Sequence, residues 1–99
     1  FDPETLRTFI AVAETEVFQK AAVKLNYTQS TVTAQIKQLE EELSIKLFEK
    51  IGRQMKLTQA GKDILPSINA ILQGEEQIYN YGKSLSEITG TLKLAIPDS

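Results

Sequence analysis

The sequence predicts a mainly α-helical fold: a three-helix bundle, then a β-hairpin, then one long helix. Three observations carry this. Apolar residues recur at steps of three and four through the first half of the 99 residues; a stretch after Leu43 changes to alternation around a glycine; and a helical period then runs from about Gln59 to Leu85.

The first helix opens at Asp2-Pro3-Glu4, which supplies an N-cap, a proline at the first helical position and an acid near the positive end of the helix dipole. It is expected from Pro3 to about Glu14, with Leu6, Phe9, Ile10 and Ala13 on its inner face, packed across the next two helices.

Phe18 to Lys37 reads as two short amphipathic helices joined by a tight polar turn. Phe18, Ala21, Ala22 and Leu25 carry the first, and its paired alanines leave room for another helix to cross closely. Asn26, which tolerates the left-handed conformation, ends it, and Thr28 is a preferred N-cap for the next. The second helix starts at about Gln29. Val32, Ile36, Leu39 and Leu43 form its buried face, and Gln29, Ser30, Thr33 and Lys37 lie opposite. Two helices so joined form a helix-turn-helix, a device that presents one helix to the major groove of DNA.

After Leu43, Ser44 breaks the helix. Ile45–Lys50 and Met55–Thr58 read as two short strands around Ile51-Gly52-Arg53-Gln54. A hairpin directly after a helix-turn-helix is the wing of a winged helix, whose tip lies against the DNA backbone or minor groove. Thr58-Gln59-Ala60-Gly61 then starts the long helix, with Thr58 as N-cap. Ile64, Ile68, Ile71, Glu75, Ile78, Gly82 and Leu85 form a heptad seam with two flaws, flanked by Leu65, Leu72 and Tyr79. At roughly 1.5 Å per residue this helix is about 40 Å long, too long for a small bundle to cover, which predicts self-association through Ile64, Ile68, Ile71, Leu72, Ile78 and Leu85. Pro66 predicts a bend. Gly90–Pro97 alternates like a strand but has no partner strand, so the chain is expected to stop just inside a second domain. The expected organisation is residues 1–58 as the winged helix-turn-helix, 59–88 as a linker and dimerisation helix, and 89–99 as the start of a C-terminal domain.

Composition narrows the chemistry. There is no Cys and no His, which excludes disulfides, thiol nucleophiles and imidazole-based acid-base or metal chemistry. Glu40-Glu41-Glu42 fans around a helix instead of converging, so it reads as a solvated face, not a metal site. With no nucleophile, metal cluster or phosphate-cradling glycine loop, neither an enzyme nor a cofactor is expected. No apolar run is long enough to span a bilayer, and Phe1–Ile10 lacks the basic start and apolar core of a signal peptide. The expectation is a soluble, cytoplasmic protein with no membrane partner.

The net charge of -2 argues mildly against nucleic acid as a partner, but its distribution reverses that. Between Val17 and Lys62 eight basic residues face four acidic ones, while each flank carries an acidic excess of three. Screening limits distant carboxylates to a reach of about 8 Å at physiological salt, so the local excess decides. Gln29 is the first candidate for base contact, because an amide can pair with adenine N6 and N7 together. Ser30, Thr31, Thr33 and Ala34 complete the reading face, the hydroxyl residues able to bond phosphates or bases or merely local backbone groups. Arg53 at the wing tip is suited to a phosphate or narrow minor groove, and Thr28, Lys37, Lys50 and Lys56 are further backbone candidates. The rival from another class is a helical protein-interaction module whose working surface is the long helix.

Taken in order, Thr28-Gln29-Ser30-Thr31-Val32-Thr33-Ala34-Gln35-Ile36, Leu39-Glu40-Glu41-Glu42-Leu43, Leu47-Phe48-Glu49, Arg53 and Leu57-Thr58-Gln59-Ala60-Gly61 resemble the N-terminal domain of the LysR-type bacterial transcriptional regulators, over Leu6 to about Ser86. The resemblance implies a winged helix-turn-helix that binds double-stranded DNA and a linker helix that pairs antiparallel between two subunits. It further implies a homodimer or, in the intact protein, a homotetramer, and a C-terminal α/β domain for a small-molecule effector, to which Gly90 onward would be the entry strand. Three positions depart from the family pattern: Ser30 stands where Pro is usual, Ala34 where Arg is frequent, and Ser44 where Gly is usual. Without a guanidinium at 34, one guanine contact is lost and base readout leans on Gln29 and Thr33.

Overall fold

The computed structural model describes residues 2–89, with side chains through Leu85. In order it contains α1 (Pro3–Thr15), α2 (Phe18–Leu25), α3 (Gln29–Leu43), β1 (Phe48–Ile51), β2 (Gln54–Leu57) and α4 (Gln59–Thr89). It divides into two units, Phe1–Asn69 and Ala70–Ser99, and α4 enters both. The strand expected at Gly90–Pro97 lies outside the described residues.

In the first unit α1, α2 and α3 pack pairwise against one another. Each ends on a non-glycine residue in the left-handed region: Glu16 at φ 63, Asn26 at φ 62 and Ser44 at φ 58. Such residues cost about 1 kcal/mol each, so backbone hydrogen bonds at the helix ends must hold them in place. After α1 the Glu16 amide donates to the Val12 carbonyl at 2.7 Å. After α2 the Asn26 and Tyr27 amides donate to the carbonyls of Val23 (3.2 Å) and Ala22 (2.9 Å), and after α3 the Ser44 and Ile45 amides donate to Glu41 (3.3 Å) and Glu40 (3.2 Å). These last two are Schellman pairs, which satisfy the last helical carbonyls. The starts of α1 and α3 are capped as expected: Asp2 Oδ1 accepts the Glu4 amide at 3.2 Å, and Thr28 Oγ1 accepts that of Thr31 at 3.3 Å.

Leu6, Phe9 and Val12 of α1, Ala21 and Ala22 of α2, and Val32, Ile36 and Leu39 of α3 make the core, closed by Leu47 and Phe48. The buried arc of α1 is wider than expected, because α1 meets α2, α3 and β2. Thr5, Thr8, Ala11 and Val12 are inside, whereas Ile10 and Ala13 are only half-buried. Thr8 is tolerated there because its hydroxyl is satisfied, donating to the Glu4 carbonyl at 3.0 Å or to Oε1 of Gln35 on α3.

β1 and β2 form one antiparallel pair, with Phe48 opposite Leu57 and Ile51 opposite Gln54. Gly52 and Arg53 are therefore a two-residue turn. Gly52 has φ 64 and Arg53 a negative φ, the pattern of a type II′ hairpin. The first strand starts at Phe48 instead of Ile45, a correction with a physical cause. The Ile45 amide is used to close α3, and the Leu47 amide donates to the Glu40 side chain; the Leu47 carbonyl still accepts the facing Thr58 amide at 2.9 Å, but without the return bond the ladder ends at Phe48. The hairpin is fastened to the bundle by the tilted rings of Phe9 and Phe48, 5.3 Å apart, and by the Met55 amide, which donates to the Glu16 carbonyl at 2.8 Å.

Thr58 starts α4 as expected, accepting the Gly61 amide at 3.1 Å while donating to the Lys46 carbonyl at 2.6 Å. Gly61 is needed at this junction: a Cβ there would overlap the Leu47 carbonyl oxygen and stand 2.8 Å from Leu57 Cδ2. Farther along, Ile68 is buried and Ile64 and Leu65 half-buried; α4 continues as helix through Pro66. In the second unit Ile71, Ile78, Tyr79, Tyr81 and Leu85 are exposed and Leu72 is half-buried.

Candidate nucleic-acid interface

Burial of Val32, Ile36 and Leu39 fixes the rotation of α3 and turns its other face outward. On that face Gln29, Ser30, Thr33 and Ala34 line one open, shallow surface. Gln29 is exposed, and among the described residues its amide has no hydrogen-bond partner. The neighbouring hydroxyls are already engaged. Thr28 Oγ1 lies 3.1 Å from Ser30 Oγ and 2.9 Å from Thr31 Oγ1, and Thr33 Oγ1 donates to the Gln29 carbonyl at 3.0 Å. With its proton so used, Thr33 offers solvent a methyl group and an acceptor lone pair. Ala34 adds a second exposed methyl. Thr31 is half-buried and belongs more to the cap than to the open face.

Lys37 follows one turn after Thr33 and is exposed; it lines a groove with Phe18, Thr33, Lys46, Phe48 and Met55 that runs between α3 and the hairpin. Lys50 and Arg53 stand exposed on β1 and the turn, and no ion pair holds either among the described residues. Lys56 differs. Its ammonium donates to both carboxylate oxygens of Glu16 at 2.9 and 3.0 Å, so it fastens β2 to the end of α1. The six apolar residues expected at a dimer seam are also unequal: Ile68 is only 5% exposed within its own chain, against 74% for Ile78.

Glu40 corrects the expectation of a solvated acidic face. Glu41 and Glu42 are exposed, but the Glu40 side chain is only 13% exposed and its Oε2 accepts the amides of Leu47 at 2.8 Å and Phe48 at 3.2 Å. The available signal was its place one turn after buried Ile36 and next to Leu39, at the border of the apolar face. Glu16 and Gln35 carried no comparable signal, because their partners come from other elements. Among the described residues no group of acids could hold a metal ion, and no helix is long and apolar enough to cross a membrane.

Residues 3–62 match the model of the family described as bacterial regulatory helix-turn-helix protein, lysR family. Among curated proteins, the chain is 43% identical over 94 residues to the HTH-type transcriptional regulator YwqM of Bacillus subtilis, covering 95% of this chain and 32% of that protein. It is 40% identical over 102 residues to CitR, an HTH-type transcriptional regulator of the same organism, covering 96% of this chain and 33% of that one. The chain thus spans about a third of the length of these two relatives. Among solved structures, a complex of the CbnR DNA-binding domain with DNA superposes with a TM-score of 0.80 at 30% identity, covering 87% of this chain and 99% of that one. A complex of the BenM DNA-binding domain with benA site 1 DNA gives 0.80 at 35% identity, covering 87% and 97%.

Proposed function

The chain belongs to the lysR family of bacterial regulatory helix-turn-helix proteins, and we propose that it is the part of such a transcriptional regulator that reads double-stranded DNA. The observation that carries this is the outward face of α3, where an unbonded Gln29 stands beside Ser30, Thr33 and Ala34 on one open surface, flanked by the free cations of the hairpin. Phosphate contacts from Thr28, Lys37, Lys50 and Arg53 set the register, and the first two turns of α3 read base edges. Gln29 pairs with adenine, while the methyls of Thr33 and Ala34 suit the thymine methyl. Lys56, held by Glu16, contributes mainly to the hairpin's attachment. The action is binding without catalysis.

Residues 1–58 then serve as the DNA-binding domain and 59–88 as the linker through which two chains pair, placing two recognition helices on half-sites about 34 Å apart or a multiple of it. Residues 89–99 would lead into an effector-binding domain. Support for pairing comes from Ile71, Ile78, Tyr79, Tyr81 and Leu85, exposed apolar and aromatic residues on one helix. A mobility shift with mixed-sequence duplex at moderate salt tests the DNA-binding reading. Retention below about 100 μM protein is expected, the weak end of non-specific affinity, and free duplex at that concentration would favour a protein-interaction module instead.

A further inference from the structure

We propose that Glu40 is a positioning residue for DNA binding: from the recognition helix it sets the placement of the wing, so that Arg53 meets the duplex while α3 reads it. The inference rests on the DNA-binding reading above and adds a residue to it. Glu40 belongs to α3, yet its side chain is committed to the segment that leads into β1. Oε2 accepts the Leu47 and Phe48 amides at 2.8 and 3.2 Å, and Oε1 lies 3.7 Å from the Lys46 ammonium. Its own carbonyl accepts the Ile45 amide at 3.2 Å. One residue of the recognition helix thereby fixes the backbone at three of the four positions between Ser44 and Glu49.

Chain connectivity extends this hold to the wing tip. Phe48 is the first residue of β1, and the type II′ turn carrying Arg53 begins after Ile51, so a shift where Phe48 leaves Glu40 is carried along the strand to the tip. The other fastenings of the hairpin, the ring contact of Phe9 with Phe48 and the bonds of Glu16 to Met55 and Lys56, tie it to α1 and make no bond to α3. Among the described residues, the hydrogen bonds of Glu40 are the ones that join the start of the hairpin to the recognition helix.

The sign of the effect separates this from a bland role. A solvated carboxylate beside Lys37 and Lys46 opposes a polyanion, so its removal should tighten DNA binding. A positioning carboxylate gives the reverse. Glu40→Gln keeps an oxygen able to accept both amides and removes the charge, whereas Glu40→Ala removes the acceptor too.

The experiment measures DNA affinity against salt concentration for the unsubstituted chain, Glu40→Gln, Glu40→Ala, Arg53→Ala and the Glu40→Ala/Arg53→Ala double variant, each well below its own melting temperature. Glu40→Ala is expected to weaken binding about tenfold on every duplex and to lower the log-log salt slope by about one, as Arg53→Ala does. Glu40→Gln should bind as tightly as the unsubstituted chain or tighter, and Arg53→Ala should change affinity less than about twofold in the Glu40→Ala background. Should Glu40→Ala not fold, Glu40→Asp, whose shorter side chain draws the carboxylate back from both amides, takes its place with the same expectations. Tighter binding by Glu40→Ala, or independent effects of the two substitutions, overturns the proposal. An Arg53→Ala variant with unchanged affinity and slope overturns it as well, and places the failure in the wing contact. Loss of DNA binding by the unsubstituted chain places it in the functional reading.

Discussion

We assign the specificity of the proposed interface to Gln29, the unbonded amide on the open face of α3. Gln29→Ala is expected to cost about 1–3 kcal/mol on a preferred site and to leave affinity for unrelated duplex nearly unchanged. Competition binding with the two duplexes measures this, and equal weakening of both would assign Gln29 to general attachment. Ser44 makes a prediction of a different kind. It closes α3 at φ 58, where a Cβ is strained and glycine is not, so Ser44→Gly should raise stability by about 0.5–1 kcal/mol in urea unfolding, with DNA affinity unchanged. A lower midpoint would mean that the serine hydroxyl contributes more than its backbone costs. The two ends of α3, with Gln29 as its first residue and Ser44 as its C-cap, were legible in the sequence, because caps and breakers act on residues close to them in the chain. Glu40 was legible only in part: its place beside Leu39 marks the border of the apolar face, but the partners that turn it inward lie seven and eight residues on.

The helices were more legible than the hairpin for a related reason. Periodicity located α1, α2 and α3 to within a residue or two, and the steps Val32, Ile36, Leu39 recur as buried positions. In α1 the same rule missed Thr5 and Thr8, because a threonine counts as polar in a pattern until a partner such as Gln35 is known. The start of β1 was misplaced because alternation continues through Ile45 and Leu47, while their amides serve the end of α3 and the Glu40 side chain. The junction of hairpin and α4 depends on Gly61, which lies against the Leu47 carbonyl. Gly61→Ala is expected to destabilise the chain by about 1–3 kcal/mol, since the added methyl meets rigid backbone on one side and Leu57 on the other. An unchanged melting temperature would show that α4 can move away without cost.

At the scale of the molecule, a net charge of -2 hides a central segment with four more basic than acidic residues, and the elements that carry the proposed contacts fall inside that segment. Heptad spacing identified α4 as a long helix with an apolar seam, but not which seam residues remain open. Burial separates them, with Ile68 inside its own chain and Ile78 exposed. Ile78→Lys should therefore lower the proposed dimer's affinity by tenfold or more while leaving the melting of the first unit in place, because a buried apolar side chain is worth about 1.5–3 kcal/mol and a charge there would lose its solvation. Sedimentation at micromolar concentration reads the change; a mass independent of the substitution would remove Ile78 from the seam. The central claim, that α3 and the wing meet duplex DNA, is tested most directly by amide shifts in an isotope-labelled chain titrated with a short duplex at low salt. The expected result is a set of shifts concentrated at residues 28–37 and 50–54. Shifts confined to residues 71–85, or none at saturating duplex, would contradict it.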